Sequence, residues 1–168
     1  DVNREVAEII GINPAARTTC VKPSGNASVL LQTASGIHAE HSSMYIRNVQ
    51  MNKESEITQA IMKTNPYMVE DSVWSAGGTD VVVSFPILPN KGSMYKDDLL
   101  GIKHLELVKK AQKHWVETGT NEELCADRGI RHNVSNTIIV DDWDEVEKYV
   151  FENRDAFAGI SFLAMTGD

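Results

Sequence analysis

Apolar residues recur at helical spacing in four segments of the chain. The clearest is 98–117, where apolar positions return every three or four residues and lysines occupy the other faces. Asn3 as a cap and Gly11 as a stop bound the first segment, and Asp142 with Glu145 three residues later resembles a capping box before the last. The pattern therefore predicts helices over residues 3–10, 54–64, 98–117 and 143–154.

Between these segments lie runs rich in β-branched and apolar residues, which predict strands. The valines at 81–83 form a nearly continuous run, as in a strand that is covered on both faces. Strands that alternate with long helices predict an α/β fold with a largely parallel sheet or a barrel segment, formed as a single domain over residues 1–168. The predicted strands are 18–22, 79–87, 134–140 and 159–164, with weaker candidates at 44–51 and 67–73, and irregular loops are expected at 74–79 and 118–133.

Composition and charge narrow the choice of partners. The chain has 168 residues, of which 42% are hydrophobic and 24% charged, and its formal net charge is -8. An acidic surface repels a phosphate backbone, so no nucleic-acid partner is expected, whereas a single nucleotide needs only a small pocket of donors. No run approaches the roughly 20 apolar residues of a membrane span, so no membrane partner is expected either.

The two cysteines and the chain ends set further expectations. Cys20 and Cys125 are far apart and form no disulfide framework, which favours a reducing cytoplasm. Neither resembles an activated nucleophile, because Cys20 falls in a predicted buried strand and Cys125 in an acidic loop. The sequence starts at Asp1 rather than at methionine and stops at Thr166-Gly167-Asp168 without a closing helix, so we expect a fragment of a longer chain.

The stretch with the clearest chemical character is a loop of small polar residues between a predicted strand and an apolar helical segment that starts at about Ala27. Small side chains let a ligand approach the backbone, and free N–H groups with the positive end of a helix dipole favour an anion there. The alternative is that Ser-Gly-Asn is only a turn and a helix cap, which is the commoner meaning of so short a motif. The candidate phosphate-binding residues of this 23–28 loop are Pro23, Ser24, Gly25, Asn26, Ala27 and Ser28.

A pair of histidines, His38 and His41, raises a second hypothesis, a metal-dependent hydrolase. Histidines three residues apart on a helix can share a face and bind a metal ion. Gly36 just before them favours a loop instead, and no third ligand is near in sequence. We therefore expect no metal and interpret the histidines as exposed or locally hydrogen-bonded. The chain also lacks a P-loop, a GxGxxG dinucleotide motif and a GxSxG elbow.

Residues 13–28 (NPAARTTCVKPSGNAS) resemble the NPSA-x-x-TTVKPSGT-x-S pattern of adenosylcobalamin-dependent (class II) ribonucleotide reductases. Asn26 stands where that pattern has threonine, which keeps a side-chain donor. The resemblance implies a later half-barrel segment of a ten-stranded α/β barrel, in which the 23–28 loop holds the substrate's phosphates. It continues in order over nearly the whole chain, through residues 36–38, 45–47, 82–86, 105–115, 131–137, 143–146 and 157–163.

The resemblance also implies what this chain contributes to such an enzyme. The family's radical and redox cysteines, the first in an Asn-x-Cys-x-Glu element, have no counterpart here, so no residue of this chain is expected to be catalytic. Adenosylcobalamin would serve the complete enzyme and would not bind this segment alone. The implied partners are a nucleoside di- or triphosphate and the remainder of the reductase chain, with self-association through exposed strand edges. A stand-alone nucleotide- or phosphate-binding module is the alternative.

Overall fold

The computed structural model describes residues 1–165 and divides the chain into two compact units. The first unit comprises residues 1–40 together with the chain from Gly92 onward, and the second comprises residues 41–91. The terminal Thr166-Gly167-Asp168, on which part of the fragment expectation rested, lies outside the described residues. The single domain over residues 1–168 stays a prediction.

The helices of the first unit lie where the apolar pattern predicts them. Asp1, rather than Asn3, caps the first helix, because its side chain accepts a hydrogen bond from the Asn3 N–H. Gly11 ends this helix in the left-handed conformation with φ 72°. The Asp142 side chain accepts from the Glu145 N–H, which is one half of the predicted capping box, while the Asp142 N–H bonds to the Asp141 side chain instead of Glu145. The helices are α1 (Val2–Ile10), α2 (Gly25–Leu31), α4 (Gly101–Ala111), which continues as a π-helical turn (Gln112–Glu117), and α5 (Trp143–Glu152).

A two-stranded parallel sheet, β4 (Ile138–Val140) and β5 (Phe162–Ala164), lies in the same unit and follows the predicted strands 134–140 and 159–164, over fewer residues. Helix α4 packs against β4 and α5, so the inward side chains of these elements leave water together. The resulting core consists of Leu105, Val108, Val116, Val134, Ile138, Val140 and Val146.

The second unit contains an antiparallel sheet of three strands and one helix. Its elements are β1 (Tyr45–Asn52), α3 (Glu56–Thr64), a 3-10 turn (Pro66–Met68), β2 (Val69–Asp71) and β3 (Asp80–Ile87), with β3 central in the order β1-β3-β2. The expectation of a largely parallel sheet is wrong for these strands. Val81 and Val83 are buried while Val82 is only half-buried, so β3 alternates despite its continuous valine run.

The predicted strand at 18–22 does not form. The Val21 carbonyl accepts one bond from the Ser135 N–H at 3.0 Å, and the segment, with a bend at Thr18, forms no ladder. Cys20 is exposed rather than buried, because a β-rich composition makes a strand only where a neighbouring strand supplies the bonds. Residues 74–79 and 118–133 are irregular as expected, apart from a 3-10 turn (Glu122–Leu124).

The mixture of helices and strands is α/β in class, as predicted. Within residues 1–165, no helix combines the length and the apolar character needed to cross a bilayer.

Candidate functional site

The 23–28 loop lies on the surface of the first unit and leads directly into α2. Pro23 to Ala27 are exposed, and the helix begins at Gly25, two residues before the predicted start. Ser24 is the N-cap in extended conformation, with φ -107° and ψ 90°, but its side chain makes no capping hydrogen bond. The first N–H groups of a helix have no acceptor inside it, so those of Gly25, Asn26 and Ala27 point towards solvent or a ligand.

The loop can be approached closely at Gly25. A Cβ atom built on this glycine would meet no atom within 4 Å. The space that a side chain would occupy is therefore open, and an anion can come near the backbone of the first turn. Asn26 and Ser24 are exposed beside it and bring an amide and a hydroxyl.

Ser28 has a different role from the rest of the loop. It is buried, its hydroxyl donates to the Ser24 carbonyl, and the Gly25 carbonyl lies 3.1 Å away. The Ser28 N–H also bonds to the Ser24 carbonyl at 3.0 Å. Ser28 thus ties the first helical turn together, and the donors that face outward belong to the five residues before it.

A tight turn at residues 35–38 supports the start of the loop. The His38 N–H bonds to the Ser35 carbonyl at 3.2 Å, and Gly36 adopts φ +63° inside the turn. A Cβ atom on Gly36 would lie 2.7 Å from the Lys22 carbonyl oxygen and 3.1 Å from the Pro23 nitrogen. Only glycine lets the turn pack directly on the peptide that enters the loop.

Both ring nitrogens of His38 are used within the protein. Nδ1 lies 2.9 Å from the Ser35 carbonyl, and the Thr137 N–H donates to Nε2 at 3.0 Å. Because an N–H can only donate, Nε2 must be the acceptor in this bond, which places the ring proton on Nδ1. Neither nitrogen is left for a metal ion, and the part of the chain that the structure describes contains no group of three or more metal-ligating side chains. The ring of His41 packs edge-on against Tyr45, 5.6 Å between centroids, and the metal hypothesis gains no support.

A third histidine, His104, holds the same turn from the core side. It is buried on α4, and its Nε2 donates to the Ile37 carbonyl at 2.9 Å. Burial, and next the neighbouring His38, lower the pKa of His104 below its usual 6.5, against a smaller raising effect of the Ile37 bond. The sequence offered one signal for this residue, a histidine on the apolar face of α4 directly before the core Leu105.

Arg17 is the buried cation nearest in sequence to the loop, and its contacts are structural. Its Nε donates to the Thr19 carbonyl at 2.9 Å and its Nη1 to the Val116 carbonyl at 2.9 Å. The guanidinium also lies over the Trp115 ring, 5.7 Å from the centroid. These bonds join the 17–19 segment to the end of the long helix, upstream of the loop.

Comparison with solved structures defines the class of fold. The chain superimposes on a crystal structure of a B12-dependent (class II) ribonucleotide reductase with a TM-score of 0.73, over 99% of this chain and 22% of that one. Sequence identity in this match is 19%, so it shows the fold alone. The α/β fold predicted from the sequence is that of a part of the class II reductase structure.

Sequence comparison with curated proteins leads to the same class of enzyme. The chain is 29% identical over 125 residues to a probable adenosylcobalamin-dependent ribonucleoside-triphosphate reductase of Dictyostelium discoideum. It is 24% identical over 123 residues to the adenosylcobalamin-dependent ribonucleoside-triphosphate reductase of Euglena gracilis, and 26% identical over 87 residues to that of Lacticaseibacillus paracasei. The resemblance inferred from the sequence is therefore confirmed.

The matches cover most of this chain but little of the relatives. They span 74% and 73% of the chain for the Dictyostelium and Euglena proteins, and only 16% and 17% of those proteins' own lengths. No family model matches the chain.

Proposed function

We propose that this chain is the substrate-phosphate segment of an adenosylcobalamin-dependent ribonucleoside-triphosphate reductase, working in the cytoplasm. The observation that carries the proposal is the match to reductases of three organisms, all named for triphosphate substrates. The two cysteines are free in the structure, which fits a reducing compartment.

The 23–28 loop is the part of the chain that would bind the substrate. Its outward N–H groups and the Ser24 hydroxyl, which makes no capping bond, are donors that a triphosphate needs. The open space at Gly25 lets the triphosphate reach them. Anchoring the phosphates fixes the position of the ribose, and correct orientation of a substrate is worth several kcal/mol of a barrier, roughly 7 or more in favourable cases. The segment would thus contribute binding and geometry to a reaction whose chemistry takes place on other residues.

Cobalamin is the cofactor that the relatives' names imply, and it would supply the radical chemistry of the complete enzyme. Among residues 1–165, the free thiols of Cys20 and Cys125 lie on separate segments, the second bonded to carbonyls of its own loop. With no pair of neighbouring thiols among these residues to supply electrons, the proposal assigns this segment no part in the cofactor's reaction.

Nucleotide binding by the chain itself tests the phosphate role. Calorimetric titration is carried out with a ribonucleoside triphosphate, the matching nucleoside and inorganic triphosphate. Comparison of the three affinities separates the contribution of the phosphates from that of the nucleoside. We expect the triphosphate and the nucleotide to bind and the nucleoside to bind far more weakly. Equal affinity for nucleoside and nucleotide would contradict a phosphate site.

The reading frame around the segment tests the reductase assignment. Sequencing the source DNA on both sides should show a frame that continues upstream into an Asn-x-Cys-x-Glu element. A frame without any such element, together with triphosphate binding, would instead support the stand-alone nucleotide-binding module.

A further inference from the structure

The turn at residues 35–38 connects the 23–28 loop to the core of the first unit. On one side, Gly36 packs against the Lys22–Pro23 peptide, the entry to the loop, so closely that any side chain would collide with the Lys22 carbonyl. On the other side, the His38 ring takes a hydrogen bond from the Thr137 N–H, one residue before the buried strand β4. The loop entry is therefore joined to the core through this turn.

The same core segment also holds the chain just before the loop. The Ser135 N–H donates to the Val21 carbonyl at 3.0 Å, so residues 21 and 38 are both bound by the segment 135–137. The Lys22–Pro23 peptide lies between these two bonds in sequence. Both hydrogen bonds come from the segment that leads into β4. The core strand therefore determines where the Lys22–Pro23 peptide, the entry to the loop, lies.

We propose that His38 is a positioning residue for the 23–28 loop. Resting on the proposed phosphate role, this inference assigns His38 no contact with the ligand. The ring, with its proton on Nδ1, bonds to the Ser35 carbonyl within the turn and accepts from the Thr137 N–H. Gly36, in the same turn, packs against the Lys22–Pro23 peptide and so fixes where the loop begins. Loss of the Thr137 bond lets the turn and the loop entry move, so that the N–H groups of the first turn of α2 no longer converge on one phosphate.

Two substitutions at His38 separate its two bonds. An asparagine amide places its N–H near the position of Nδ1 and keeps the bond to Ser35, but it has no acceptor that reaches Thr137. A glutamine carbonyl reaches the position of Nε2 and keeps the acceptor for Thr137. If the link to the core positions the loop, His38→Gln behaves like the wild type and His38→Asn behaves like His38→Ala.

The first measurement needs no ligand. Backbone amide NMR shifts of residues 24–28 are compared in the wild type and the three variants, with His114→Ala as control because His114 is exposed on the long helix. Nitrogen NMR of the His38 ring should show the proton on Nδ1. We expect the loop amides to move in His38→Ala and His38→Asn and to stay in place in His38→Gln and His114→Ala. Unmoved loop amides in His38→Asn overturn the inference, and this variant keeps the turn even if His38→Ala fails to fold.

The second measurement is the affinity for inorganic triphosphate, with the unfolding free energy determined in parallel. We expect His38→Asn to bind about tenfold more weakly, equivalent to about 1.4 kcal/mol, and His38→Gln to recover most of the affinity. Equal affinities of wild type and His38→Asn overturn the inference. Absence of binding by the wild type, with loop amides that still depend on His38, refutes the phosphate role and leaves the positioning of the loop supported.

Discussion

The substitution Gly25→Val tests the 23–28 loop with little disturbance to the fold. Gly25 is the first residue of α2, and a Cβ atom there meets no neighbour within 4 Å. Its φ is not in the left-handed region, so valine can adopt the same backbone. The two methyl groups would stand in the open space through which a phosphate reaches the N–H groups of the first turn.

The expected loss of affinity follows from the bonds that valine would block. A hydrogen bond to a charged group contributes about 1.5–3 kcal/mol. Preventing two backbone N–H groups from reaching a phosphate would therefore cost about 3–6 kcal/mol, roughly a hundredfold to ten-thousandfold in Kd. The change in the free energy of unfolding should stay within about 0.5 kcal/mol, as for exposed positions without contacts.

Calorimetric titration with a ribonucleoside triphosphate and urea unfolding measure both quantities on the same variant. Gly25→Ala adds a single methyl group and should give a smaller loss of affinity than Gly25→Val. Gly77→Val is the matched control, since Gly77 is an exposed glycine of the second unit whose added Cβ would meet only the Thr79 side chain, at 3.7 Å. It should bind the nucleotide as the wild type does.

Unchanged affinity in a folded Gly25→Val chain would refute the assignment of the phosphate to this loop. A large loss of stability would refute a different step, the inference that the space around Gly25 is empty. The two results are distinguishable because binding and unfolding are measured separately.

Three further substitutions test the core, the buried histidine and the exposed strand. Leu105→Ala should lower the free energy of unfolding, measured in urea, by about 2–5 kcal/mol, because Leu105 is fully buried. The control Leu30→Ala, at an 82% exposed position, should change it by less than about 0.5 kcal/mol, and equal effects would contradict the assignment of Leu105 to the core. The folded state lowers the pKa of His104 below the 6.5 of the unfolded chain, so the contribution of His104 to stability is present above pH 6.5 and is lost as the pH falls through the lowered value. The wild type should therefore lose more stability than His104→Gln between about pH 7.5 and about pH 5, and parallel pH profiles from urea unfolding would refute this. Leu163 is 56% exposed on β5, in a sheet of two strands whose outer edges have no strand neighbour among residues 1–165. We expect the chain to associate with rising concentration in sedimentation velocity and Leu163→Lys to reduce this association; a monomeric wild type, or association that the substitution leaves unchanged, would contradict the role of the strand edge.

The helices were predicted well from the sequence because their signals are local. Apolar spacing located all four predicted segments, and the Asp142 cap and the Gly11 stop were recognised from residue type. The errors of up to three residues at helix ends, such as Asp1 in place of Asn3 as the cap of α1, arise because several polar residues next to a helix start can accept the same bond.

The strands were predicted less well because a strand depends on partners that are distant in sequence. The valines at 81–83 indicated a strand but not its direction, which the pairing of β3 with β1 and β2 decides. Residues 18–22 have the composition of a strand and form none, since Ser135 supplies a single bond where a ladder needs several.

Some features of the 23–28 loop were likewise predictable from local sequence, and others depend on tertiary contacts. Its small polar residues, the following helix and the resemblance to a reductase motif all lie in one continuous stretch, so the phosphate site could be proposed from the sequence alone, and it stays a prediction. The close packing of Gly36 on the Lys22 carbonyl and the bond from the Thr137 N–H to His38 join residues up to 99 positions apart. No local pattern encodes such contacts, because they exist only after β4, α4 and the turn have packed into one core.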